Sequence, residues 1–233
     1  NSALLFEPWE ILRDNGEPYR VFTPFWKAMQ KRLTHQAPEP SPSALPPLPE
    51  TATSLPLASL ELLPCIAWDS GFYESWQVGE AAAQEQFDDF MTLALSGYAH
   101  ERDRPDHPGT SRLSPYLHFG EISPLQIVWN LQAGGGLHPP VGAEPYIREL
   151  AWREFAHYLL FHFTDTVDRP LDKRFIAFPW RTDYEDELNA WQRGRTGIPL
   201  IDAGMRELWH TGWMHNRVRM IVASLLTKNL LIP

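Results

Sequence analysis

The chain has 233 residues, 43% hydrophobic and 21% charged, the balance of a folded protein with room for one good-sized domain and part of another. A formal net charge of −9 argues against a generic basic nucleic-acid binder, although a local basic patch is enough for phosphate contact. Cys65 is the single cysteine, which excludes an intrachain disulfide and a thiolate zinc site; no signal peptide is read and no apolar run reaches the ~18 residues of a membrane span, so a cytoplasmic, non-membrane protein is expected.

In chain order, residues 1–36 end in an extended run, Tyr19-Arg20-Val21-Phe22, with Thr23-Pro24 opening a short helix. They read as the last strand and helix of an α/β unit. Residues 37–66 carry Pro38, Pro40, Pro42, Pro46, Pro47, Pro49, Pro56 and Pro64 without periodicity, which predicts an irregular, partly extended linker. Residues 67–233 show no strand alternation and are expected to be all-α. Residues 81–95 have apolar positions near helical spacing. Ser123-Pro124 pairs an N-cap with a proline at the first helical position, opening a helix that runs to about Leu131 and stops at Gly134-Gly135-Gly136. Pro145 opens another, from Tyr146 to about His162; residues 185–191 form a shorter one ending at Gly194, and a long helix is expected from Ile201 to Leu231. The start at Asn1 and the apolar helical run up to Pro233 predict a fragment of a longer protein.

Polar and aromatic groups share helix faces in this part. Asn216, Arg219 and Met220 stand at i, i+3 and i+4 on one stripe, an amide, a guanidinium and a thioether that suit a planar polar ligand with an apolar edge. Glu149, Trp152, Arg153 and Ala156 form a second stripe, whose bland alternative is an exposed Glu–Arg pair beside a half-buried tryptophan. Gly109-Thr110-Ser111-Arg112-Leu113-Ser114-Pro115 puts hydroxyls and a cation at a helix start, where free N–H groups receive phosphate; the bland alternative is an N-cap. Residues 205–220 carry Arg206, Arg217 and Arg219 against Glu207 alone, which predicts a local basic patch.

Taken in order, these segments resemble the flavin-binding half of the DNA photolyase/cryptochrome family, most closely class I cyclobutane pyrimidine dimer photolyases, through nearly the whole chain. The resemblance implies FAD as cofactor, with Thr110, Ser111, Arg112, Leu113 and Ser114 gripping its diphosphate and Tyr98 and Tyr146 lining its site. It also places Glu149, Arg153, Asn216 and Arg219 on the cofactor side, Arg219 pairing with an acid beyond Pro233. Glu149 would hydrogen-bond the lesion base, Trp152 would pack against the flipped-out dimer, and Met220 would touch it. Arg102 would face DNA and Arg217 a phosphate, while Trp191 would be the outermost of the tryptophans that photoreduce the flavin. A second antenna chromophore, of folate or deazaflavin type, is implied for the N-terminal domain, and a monomer acting on dimer-containing DNA for the whole protein. In this family a histidine in place of Asn216 marks animal-type cryptochromes and (6-4) photolyases. Plant cryptochromes usually carry Asp there and lack the Glu149/Trp152 pair. The rival expectation is a cryptochrome-like blue-light sensor without repair.

Overall fold

The computed structural model describes residues 3–33, 37–40, 42–49, 53–133 and 139–233. The glycine stop expected at 134–136 lies outside them. Ten α-helices are present among the described residues: α1 (Phe22–Gln30), α2 (Ser70–Ser75), α3 (Glu80–Asp89), α4 (Tyr98–Glu101), α5 (Ser114–Phe119), α6 (Pro124–Ala133), α7 (Ala143–His162), α8 (Glu185–Gln192), α9 (Pro199–Thr211) and α10 (Asn216–Ser224). No strand occurs among the same residues. Two helices loosen into π turns, α3 into Phe90–Ala94 and α10 into Leu225–Asn229.

α7 organises the molecule. Its twenty residues bury Tyr146, Ile147, Leu150, Ala151, Phe155 and Tyr158, and the apolar core gathers around them from α1, α3, α5 and α6. It begins at Gly142, whose φ of +90° is left-handed; a Cβ there would collide with the Leu95 carbonyl oxygen, so glycine lets the chain turn tightly against α3's extension.

No strand forms over Tyr19–Phe22: Tyr19 and Arg20 are irregular, Val21 is extended, and α1 starts at Phe22. Phe22 and Phe25, three apart, match a helical period and both bury against Phe155 of α7, at ring distances of 5.8 and 5.0 Å. Tyr19 donates its N–H to the Tyr158 hydroxyl at 2.9 Å rather than to a neighbouring strand. The Leu5 and Phe6 amides bond the Glu154 carboxylate, and His162 Nε2 meets Pro8 O at 2.9 Å, so residues 3–30 share the core of α7.

The long helix expected from Ile201 to Leu231 is two helices. Gly212 adopts φ +72° after α9 and closes its end by donating to Leu208 O at 2.9 Å. His215 then caps α10, its Nδ1 accepting the Arg217 N–H at 3.1 Å. The break folds α10 back on α9, so that Ile201, Met205, Met214, Val218 and Val222 form a second apolar cluster that one straight helix could not assemble. No helix among the described residues is long and apolar enough to cross a membrane.

Candidate functional site

The exposed side of α7 carries Glu149 and Trp152, one helical turn apart. They line a cleft of about 400 Å³ together with Ala99, Arg102, Asp103 and Arg148. Trp152 is held from behind: Phe22 stacks face to face on it at 3.6 Å and 9° between planes, and the indole remains 47% exposed. The stripe read from the sequence therefore presents an oriented aromatic surface beside a carboxylate.

That carboxylate is paired, but not with its helical neighbour. Arg102 Nη1 donates to Glu149 Oε1 at 2.5 Å, and the Arg102 guanidinium lies 5.7 Å from the Tyr98 ring. Arg102 Nε also lies 3.5 Å from Asp103 Oδ1, the same oxygen that accepts from Arg217 Nε at 2.6 Å. The Arg217 hydrogen bond is the main reason the Asp103 carboxyl is held below its usual range. A chain of alternating charge, Glu149–Arg102–Asp103–Arg217, thus ties α7 and α4 to the first turn of α10. Arg217 Nη1 also meets Met220 Sδ at 3.3 Å, on a helix start where Asn216 is exposed.

Arg153 does not join the cleft. Its guanidinium donates to Ala3 O at 2.5 Å and Leu117 O at 3.3 Å, so the bland alternative of a Glu149–Arg153 pair is not formed. The geometry gives no support to a cofactor-facing Arg153. Ala3 and Leu117 win because their carbonyls lie within hydrogen-bonding reach on the side of α7 to which residue 153 points.

The loop before α5 reaches the same region. Ser111 is buried and its hydroxyl accepts from Tyr146 at 2.9 Å. Tyr146 in turn packs edge-on against Tyr98 at 5.2 Å, and both tyrosines touch Phe90. Burial raises both phenol pKa values, so the tyrosines act as neutral hydrogen-bonding groups. Leu113 is a core side chain, leaving only its backbone for a ligand, while Thr110 is half-buried and Ser114 exposed at the start of α5. Arg112 takes a left-handed φ of +53° and inserts between the rings of Trp76 and Trp213, 4.8 Å from each. Its Nε is buried without a hydrogen-bond partner among the described residues. Arg219 is exposed, and its guanidinium has no ion-pair partner among them. The loop and α10 together therefore offer hydroxyls and unspent guanidinium donors, the set that an anionic ligand with a planar polar head requires.

Trp191 lies elsewhere. Its indole N–H donates to Val222 O at 3.0 Å and its ring packs on the second apolar cluster, which accounts for it as the residue seating α8 on α9 and α10. The expected basic patch is partly spent, since Arg206 donates to Gly194 O at 2.6 Å and Arg217 is held by Asp103. Two residues of this region are not singled out by the sequence, Asp103 and Trp76, and only the tryptophan leaves a trace there, as an aromatic residue set among polar neighbours. His215 is buried, and burial lowers its pKa, leaving a neutral ring able to cap α10.

Residues 146–233 match the family described as the FAD binding domain of DNA photolyase, and residues 1–43 match the family described as DNA photolyase. A deoxyribodipyrimidine photo-lyase of Agrobacterium fabrum is 45% identical across the whole chain, which covers 48% of that protein. Cryptochrome-2 of Arabidopsis thaliana is 36% identical, with all of this chain and 40% of that protein aligned. Among solved structures, a bacterial class III photolyase from Agrobacterium tumefaciens superposes with a TM-score of 0.92 at 42% identity, covering all of this chain and 48% of that one. The chain spans about half the length of the curated relatives it matches. Matched near both ends to photolyase domains, and helical in the same arrangement as a solved member, this chain belongs to the DNA photolyase/cryptochrome family.

Proposed function

We propose that the protein carrying this chain repairs cyclobutane pyrimidine dimers in DNA, using light and FAD. The observation that carries the reading is the cleft itself, where the Glu149 carboxylate and the exposed Trp152 ring stand side by side and the Arg102–Asp103–Arg217 chain draws in the start of α10. The donor set of the 110–114 loop and Arg219, with the orphaned Arg112 Nε, fits a flavin dinucleotide with its diphosphate on the loop. Bound in its reduced form, FAD supplies the light-driven electron for splitting the dimer.

The chain's own residues supply recognition and position. Trp152 offers a flat apolar face to an extruded dimer, and Glu149 accepts hydrogen bonds from its base once Arg102 yields. Asn216 and Met220 flank the lesion from α10, while Arg102 and Arg217 reach the DNA backbone. No side chain is required as a nucleophile. In this reading residues 1–36 close an N-terminal domain that holds a folate- or deazaflavin-type antenna, residues 37–66 link the domains, and residues 67–233 begin the FAD domain. The protein is read as a cytoplasmic monomer. Assignment to class I rests on Glu149, Trp152, Asn216 and Met220 alone, since the Agrobacterium tumefaciens structure is described as class III.

Binding in the dark separates repair from a sensor. The FAD-loaded protein should hold a dimer-containing duplex well above an undamaged one of the same sequence; equal affinities would favour the cryptochrome-like sensor. Arg217→Ala should also weaken binding and lower the salt slope of log affinity by up to about one, the value for one lost phosphate contact less any cation its released partner Asp103 takes up. Affinity and slope both unchanged would place Arg217 off the interface.

A further inference from the structure

We infer that Asp103 is an internal stand-in for DNA phosphate, holding the cleft's arginines until DNA displaces it. This rests on the proposed DNA-binding reading of the cleft. Arg217 Nε and Arg102 Nε converge on one oxygen, Asp103 Oδ1, at 2.6 and 3.5 Å. Two guanidinium groups from distant parts of the chain meeting on a single anionic oxygen is the arrangement a backbone phosphate would receive. Asp103 itself is half exposed, at 51% of its side chain, and among the described residues its ion pairs are with these two cations alone. It lies at the solvent edge of the cleft, where an incoming strand can replace it without crossing the core.

The consequence for binding is an exchange of partners. When a phosphate takes Arg217, the Asp103 carboxylate loses its main cation and recruits one from solution. Part of the ion release that drives DNA association is thereby cancelled. Asp103 therefore lowers affinity for any duplex and flattens its salt dependence. It also keeps Arg217 extended from α10 toward α4 while the site is empty, so the arginine arrives ordered.

The test is a mutant cycle on the FAD-loaded protein, read by fluorescence anisotropy with one undamaged and one dimer-containing duplex over a range of salt. Asp103→Asn should tighten both duplexes roughly two- to fivefold, the range of one exposed ion pair, and steepen the salt slope by up to about one. Asp103→Ala, which removes the side chain's polar atoms as well, should act in the same direction. In an Arg217→Ala background the gain should vanish or shrink to the share held through Arg102. Weaker or unchanged binding in Asp103→Asn and Asp103→Ala would overturn the inference, as would a full gain persisting without Arg217, which would mark a general charge effect. If Arg217→Ala alone left both affinities and both slopes unchanged, the DNA-binding reading of α10 would fail first, and the inference with it.

Discussion

Glu154→Gln should stabilise the protein at pH 8 and leave its stability unchanged at pH 4. Glu154 lies on the buried side of α7, only 4% exposed, opposite the cleft. One carboxylate oxygen accepts from the Leu5 amide at 2.9 Å and the Phe6 amide at 3.3 Å, while the other has no hydrogen-bond partner among the described residues. Burial outweighs the two amides and Arg153 and raises the carboxyl from 4.5 to about 7. A raised carboxyl pKa means that the unfolded chain ionises first. Stability attributable to Glu154 is intact below pH 4.5, falls as pH rises from 4.5 to about 7, and stays low above that. The loss is on the order of 3 kcal/mol. Glutamine keeps an oxygen for the amides and carries no charge to desolvate. Denaturant unfolding of parent and variant at both pH values checks this. An equal loss of stability at pH 4 and pH 8 would show that the group is needed for shape and that its ionisation is immaterial.

Trp152→Ala should weaken binding of dimer-containing DNA by on the order of 1–3 kcal/mol while FAD affinity changes little, because a base–aromatic contact of this kind is lost only from the lesion side. The ring is already oriented by the Phe22 stack at 3.6 Å, so binding does not have to order it. Paired titrations with oligonucleotide and with FAD separate the two affinities. Equal loss of both would make Trp152 a packing residue whose removal loosens α1 on α7.

The repeat of the helix makes the Glu149–Trp152 face legible in the sequence alone, since residues three apart on one helix must share a side. It does not show which way Arg153 turns. That outcome is decided by Ala3 and Leu117, which lie 150 and 36 positions earlier in the chain and whose carbonyls accept its guanidinium. Asp103 is hidden for the same reason, its principal partner Arg217 being 114 residues distant. Over residues 201–231 the apolar spacing runs on through Gly212, and only the left-handed turn and the His215 cap reveal that two helices, not one, bury Met205 against Val218. At Tyr19–Phe22 the β-favouring composition forms no strand because the Tyr19 N–H is taken by the Tyr158 hydroxyl and α1 begins at Phe22, which with Phe25 packs on α7.

Whether the protein reverses dimers in the light decides between repair and sensing. The protein carrying this chain, loaded with reduced FAD, is mixed with a duplex bearing one cyclobutane pyrimidine dimer and held in the dark or under near-UV to blue light, with intact pyrimidines quantified over time. Restoration of the pyrimidines in the light alone, slowed in Trp152→Ala and Glu149→Ala, is the predicted result. A protein that binds FAD and absorbs the light yet leaves the dimer intact would contradict the account and return the cleft to a sensing role.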